Sequence, residues 1–324
     1  MHHLIFEPSS AAFDKCAALL RSDELVAVPT ETVYGLAGNA LSEIAVRKIF
    51  TVKGRPLIDP LITHFKDAES AFSHTVYTRA AESLASAFWP GPLTLVCEKL
   101  PVIPDLVTAG LKSAAIRVPS QPHMQRLLRL VDFPLAAPSA NPFGYVSPTQ
   151  SEHVAKTLGH KIQAILDGGS CEHGLESTVL DIRNPSKPSI LRPGPVSAEK
   201  IESVLGCELL PVQPSTSGVA QTSPGQLMKH YSPKTAIEIV EHGDLEGLPP
   251  KGSAFIANRK PALNDSKDVY WLSEDGDITT IARNFYSLLQ KLDQMKYKQL
   301  LVENAPNRGL GIALNDRLRR AASK

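Results

Sequence analysis

"KGRPLIDPLITHF", residues 53–65, decides how this chain is read. Lys53 and Arg55 flank Gly54, Pro56 stops any helix that came before, and an apolar run carrying Asp59 and His64 follows. A glycine and proline between a helical pattern and a β-rich run mark a junction from helix to strand. Two cations at such a junction have two readings. They can close a solvated helix and complement its negative end, or they can stand ready for an anion.

The same alternation runs outward in both directions. Strands are expected at 25–29, 60–65, 92–97, 114–119, 134–140, 163–167, 177–182 and 189–194. Helices are expected at 11–21, 42–52, 78–88, 122–131 and 197–205. This is the pattern of an α/β layered domain. Prolines at strand ends (Pro29, Pro60, Pro92, Pro119, Pro134) argue for a twisted sheet mixing parallel and antiparallel strands, with irregular edges. Residues 211–235, "PVQPSTSGVAQTSPGQLMKHYSPKT", are rich in Pro, Ser, Thr, Gly and Gln and read as a linker. Beyond it the pattern resumes: strands at 236–240, 253–257, 268–272 and 299–303, a helix at 278–293 and a last helix from 311. Ile281, Phe285, Leu288, Leu289 and Leu292 form one apolar stripe on the long helix. The expected organisation is therefore a catalytic domain over 1–208, a linker or lid over 209–235, and a smaller Rossmann-like α/β domain over 236–324.

A chain of 324 residues with 43% hydrophobic and 21% charged residues has enough apolar material for two packed cores. Its net charge of +1 is not the basic excess of a protein that lives on nucleic acid. The four cysteines form no CxxC pair, so neither a zinc site nor a disulfide framework is signalled. No apolar run is long enough for a membrane span, and the first residues lack a signal-peptide core. A cytoplasmic protein without membrane contact is expected.

Polar residues gather at strand ends, where α/β sheets bind ligands. "VPTETVYGLAGNA" (28–40) offers Thr30 and Thr32, with Gly35 and Gly38 permitting close backbone approach. Arg117 lies inside the apolar strand "AAIRVP", where a guanidinium needs either an ion pair or an anionic ligand. "APSANPFGYVSP" (137–148) carries Ser139, Asn141 and Ser147; "GLESTVLD" (174–181) carries Glu176, Ser177 and Thr178; "ILRPGPV" (190–196) carries Arg192. His64 is either a satisfied core residue or a ligand. Walker A, HExxH, GxSxG and GxGxxG patterns are all missing. What remains is a set of cations, hydroxyls and glycines suited to a polyanion such as a nucleoside triphosphate.

Taken in order, "PTETVYGL", "KGRP…PL…H", "AAIRVPSQP", "APSAN", "ESTVLD", "ILRPG" and "SPGQLMKHYSP" resemble the YrdC-type threonylcarbamoyl-AMP synthases, in the long form with a C-terminal Rossmann-like domain. The resemblance implies that L-threonine, bicarbonate and ATP react to threonylcarbamoyl-adenylate and pyrophosphate. It further implies delivery to partner proteins that modify adenosine beside the anticodon, with tRNA itself met only indirectly or weakly. By the family pattern Thr32, His64, Arg117, Ala137 and Ser177 hold threonine. Arg55, Asp59, Ser113, Ser139, Asn141, Ser147, Arg192 and Tyr231 hold ATP, and Lys53 with Arg55 serves catalysis. Asp59 departs from the family's usual asparagine, and an acid there repels phosphate unless it faces something else. Ser113 stands where threonine is more usual and keeps the hydroxyl.

No covalent nucleophile is evident. The expected mechanism is positioning and electrostatics: a carbamate oxygen attacks the α-phosphorus in line, with cations and magnesium offsetting the charge. No protein metal ligands are expected. The polar and aromatic residues of "SPGQLMKHYSP" (Lys229, His230, Tyr231) suggest a lid that keeps water from the adenylate. One rival is a noncatalytic module for double-stranded RNA or tRNA, against which the near-neutral charge counts. Another is a carbamoyl transferase of the hydrogenase-maturation kind, for which the chain lacks length and CxxC motifs.

Overall fold

The computed structural model describes residues 4–210, 231–241, 243, 249–261 and 266–323. In chain order the first part runs β1 (Ile5–Phe6), α1 (Ser10–Arg21), β2 (Val26–Val28), β3 (Gly35–Asn39), α2 (Glu43–Lys53), β4 (Ile62–His64), α3 (Ala68–Phe72) and α4 (Arg79–Phe88). It continues with β5 (Leu93–Glu98), β6 (Ser113–Arg117), α5 (Pro122–Leu130), β7 (Leu135–Ala136), α6 (Ser151–Leu158), β8 (Ala164–Leu166), β9 (Thr178–Asp181), β10 (Ser189–Arg192) and α7 (Ala198–Leu205). The last part is β11 (Ala236–Val240), β12 (Ser253–Arg259), β13 (Val269–Ser273), α8 (Ile278–Asp293), β14 (Gln299–Glu303) and α9 (Leu310–Ala322).

The first ten strands form one mixed sheet in the order β1-β8-β2-β3-β7-β4-β6-β5-β9-β10. The expectation of a mixed sheet holds. β4 runs parallel to β6 in a register that pairs His64 with Arg117, and antiparallel to β7. Two residues from distant motifs thereby become neighbours. The last four strands form a second sheet, parallel throughout, in the order β11-β14-β12-β13.

Local chemistry explains the ends of the elements. Ser9, Ser42, Thr78 and Asp277 cap the first turns of α1, α2, α4 and α8 with side-chain oxygens. α2 stops because Gly54 takes a left-handed conformation (φ 64°) and bonds back to Phe50 and Thr51, and Pro56 cannot extend the helix. The segment over 134–140 is strand only at Leu135–Ala136, since Pro134 and Pro138 bracket it. Gly35–Asn39, which sequence patterning suggests only as a turn, is a buried strand. Its two glycines hide the apolar alternation: a Cβ on Gly38 would come within 2.9 Å of Leu25.

One core lies between the first sheet and its helices and includes Leu36, Ile49, Leu84, Leu95, Ile116 and Ile201. Of the expected apolar stripe of α8, Ile281, Phe285, Leu289 and Leu292 are buried and Leu288 is partly buried; Tyr286 and Gln290 are buried with them. That second core takes in Val33, Val146 and Leu175 from the first sheet's loops, so the two sheets are not packed independently. Among the described residues no helix is long and apolar enough to cross a membrane.

Candidate active site

A cavity of about 40 Å³ opens where the loop after β2, the loop after β7, β4, the end of β6 and the turn before β9 converge. Of the residues singled out by sequence, Thr32, Arg55, His64, Arg117, Ala137, Ser139, Ser177, Arg192 and Tyr231 line it, joined by Thr30 and Glu176. Lys53, Asp59, Ser113, Asn141 and Ser147 are buried nearby but are not part of its wall.

The converging cations are not bare. Arg117 is held at 2.7 Å from Glu31, donates to Thr32 Oγ1 at 3.1 Å and to the Gly91 carbonyl at 3.1 Å. Glu31 is only 2% exposed. Burial pushes its pKa up, but the charge and hydrogen bond of Arg117 outweigh that and hold it below the ordinary carboxylate value. The structural and ligand-anchoring readings of Arg117 are thus compatible: one edge of the guanidinium meets Glu31 while the residue lines the cavity. Glu31 was missed by sequence reasoning; its position inside "PTETVYGL", beside two of the singled-out threonines, is the signal that could have found it.

Arg55 reaches the cavity while donating to the carbonyls of Asp59 and Pro60, with Asp59 Oδ2 2.9 Å from Nη2. This gives Asp59 a physical reason to be an acid here: it faces Arg55. Lys53 does end a helix, but its ammonium is buried, not solvated. Nζ donates to the carbonyls of Ser139 at 2.5 Å and Asn141 at 2.6 Å, tying α2 to the 139–141 loop. Burial, then the charge of Arg55, pushes its pKa well down. Asn141 braces the same loop by donating to the carbonyls of Pro142 and Tyr145.

His64 is 2% exposed, and burial followed by the charge of Arg117 pushes its pKa down to about 3, so the ring is neutral. Its Nδ1 has no hydrogen-bond partner among the described residues, nor has the Ser113 hydroxyl. Buried polar atoms without partners are rare, and at a cavity they are places for a ligand to bond. On the opposite wall Ser177 Oγ lies 2.7 Å from Thr94 Oγ1, and Arg192 donates to the Ser177 carbonyl and hydroxyl at 3.0–3.1 Å. Tyr231 is 1% exposed with φ 66°, and its ring stacks on Tyr286 at 5.8 Å between centroids. Lys229 and His230, the other residues expected of a lid, lie outside the described residues.

Among the described residues no group of three or more His, Cys, Asp or Glu side chains could hold a metal ion. Magnesium that enters with a triphosphate needs few protein ligands, because it keeps waters and phosphate oxygens.

Mixed sheet, buried arginines and the unpartnered His64 Nδ1 at one cavity define the class: an α/β protein whose site suits a small ligand with anionic groups. Comparison with known proteins makes this specific. Residues 18–194 match the Sua5–YciO–YrdC family, described as "Telomere recombination", and residues 196–323 match "Threonylcarbamoyl-AMP synthase, C-terminal domain". The chain belongs to this family, whose threonylcarbamoyl-AMP synthases are enzymes of the nucleotidyltransferase type, as it is. It is 39% identical to the threonylcarbamoyl-AMP synthase of Pyrococcus abyssi (94% of this chain, 92% of that one) and 38% identical to that of Bacillus subtilis (95% and 92%). It is also similar to the crystal structure of P. abyssi Sua5 complexed with L-threonine, with a TM-score of 0.88, 36% identity, and 98% and 97% of the two chains covered.

Proposed function

We propose that this chain makes threonylcarbamoyl-AMP and pyrophosphate from L-threonine, bicarbonate and ATP, for transfer by partner proteins to tRNA adenosine beside the anticodon in the cytoplasm. One observation carries the reading. Thr32, His64, Arg117, Ala137 and Ser177, assigned to threonine by the family pattern, share a single cavity with Arg55, Ser139, Arg192 and Tyr231, assigned to ATP. The names of its relatives, and the threonine in the P. abyssi complex, support the same assignment.

In this reading Arg117 meets the threonine carboxylate, and neutral His64 offers Nδ1 to a threonine donor or, as the other tautomer, to an acceptor. Threonine's nitrogen and bicarbonate form a carbamate, whose oxygen attacks the α-phosphorus as pyrophosphate leaves. Arg55 and Arg192 stand beside the departing charge. Lys53 acts one step back, fixing the 139–141 loop. Tyr231, a wall residue of the cavity, belongs to the linker expected to act as a lid over the nucleotide.

Purified protein should release pyrophosphate from ATP only when threonine and bicarbonate are both supplied. Equal rates with serine, or with no amino acid, refute the assignment.

A further inference from the structure

Glu176 is a wall residue, but the atoms that hold it come mostly from the C-terminal sheet's helices. Its Oε2 accepts from Arg317 Nε at 2.7 Å and from the Tyr286 hydroxyl at 3.1 Å, and its Oε1 accepts from Ser147 Oγ at 2.6 Å. Burial alone pushes the Glu176 pKa up, but the charges of Arg317 and Arg192 and the bonds from Arg317 and Ser147 outweigh it, so it is a carboxylate. Arg317, with no exposed surface, also donates to the Pro193 carbonyl at 2.9 Å, one residue past Arg192, and lies 5.4 Å from the Tyr231 ring. Gln290 donates to the Ser147 carbonyl at 3.0 Å. Neither α8 nor α9 supplies a cavity wall residue.

Two packed units need only apolar faces to adhere, and buried polar groups raise the cost unless matched. Here three buried polar side chains of α8 and α9, Tyr286, Gln290 and Arg317, converge on the two loops, 145–147 and 172–177, that stand behind the cavity. Their effect is geometric. With its proton committed to Glu176, Ser147 has only lone pairs left for a ligand, which suits a ribose hydroxyl or an adenine amino group and not a phosphate oxygen.

We propose that Tyr286 and Arg317 are positioning residues of the active site: by anchoring Glu176 they orient Ser147 and Arg192 for the nucleotide, which makes the C-terminal sheet unit a working part of the site. The proposal rests on the nucleotide reading above. It is tested in the full chain with Tyr286→Phe, which removes one hydroxyl and keeps the ring, with Glu176→Gln, and with both together. ATP affinity is measured by calorimetric titration, KM for ATP and for threonine by pyrophosphate release, and Tm as a check on folding. Tyr286→Phe should weaken ATP about three- to tenfold, less than the roughly 10- to 150-fold of losing a direct bond to a charged group because Tyr286 acts only through Glu176, with threonine KM within about twofold and Tm little changed. The double variant should be no worse than Glu176→Gln alone, because the two act through one bond. Wild-type ATP affinity in Tyr286→Phe, equal weakening of both substrates, or strictly additive losses overturn it. A wild-type chain that binds no ATP refutes the nucleotide reading itself, and the positioning proposal with it. An active wild type with unaffected variants refutes only the positioning role.

Discussion

Arg117, Arg55 and Glu176 show that at this site a charged side chain is defined by what faces it. A guanidinium left alone in an apolar strand is costly, and Glu31 offsets that cost at 2.7 Å. His64 is the opposite case: burial keeps it neutral. Its folded pKa of about 3 lies below the ordinary 6.5, so between these values the unfolded chain binds a proton that the folded chain refuses. Stability from this group is complete above pH 6.5 and falls as pH drops, by about 1.4 kcal/mol per pH unit within that window. Urea unfolding of His64→Asn over a pH series should show a slope shallower by about that amount. Parallel slopes for variant and wild type contradict a buried neutral histidine. That His64 and Arg117 line one cavity was expected from the family resemblance of their motifs. The charge state was not, because it depends on burial.

At the scale of elements, turns and helix ends place the site. Gly54 releases the chain from α2 so that Arg55 turns toward the cavity while Lys53, the last helical residue, stays beneath it. Gly174 does comparable work between the 172–177 loop and α8. Its φ is 69°, and a Cβ there would lie 2.5 Å from Arg283 Cα and 2.7 Å from the Ala282 carbonyl. Arg283 also donates to the Glu172 carbonyl at 2.9 Å, so loop and helix are clasped. Gly174→Ala should cost about 2–5 kcal/mol, combining left-handed strain with a backbone clash. Denaturant unfolding with an unchanged m-value measures it, and a loss below about 1 kcal/mol would show that the helix can withdraw. Most helices were legible from periodicity and caps. α3 and α6 were not: α3 is only 5 residues long, and the N-cap Gln150 of α6 makes no side-chain capping bond.

Over the whole molecule, the second core crosses the boundary that composition suggests. Val33, Val146 and Leu175 pack with Phe285, Leu289 and Leu314, and Tyr231 lies among them. Tyr145 donates to Asp293 at 2.8 Å, and the Ser232 hydroxyl to the Arg320 carbonyl at 3.2 Å. Two units sharing a core and a buried ion pair should unfold together. Calorimetry of the full chain should give one transition with equal calorimetric and van't Hoff enthalpies, and two resolved peaks would refute the shared core.

The ordered motifs around the cavity were legible through their resemblance to a family, whereas short-range pattern alone sufficed for the alternation of helix and strand and most of the apolar stripe of α8. Those signals repeat every two to four residues, and local sterics and burial generate them. The tertiary structure alone decided that Lys53 braces carbonyls, that Glu31 balances Arg117, and that Arg317 reaches Glu176. These contacts join residues 86 to 141 positions apart, where local sterics carry no information and only the folded arrangement of the sheets and their loops brings the partners together.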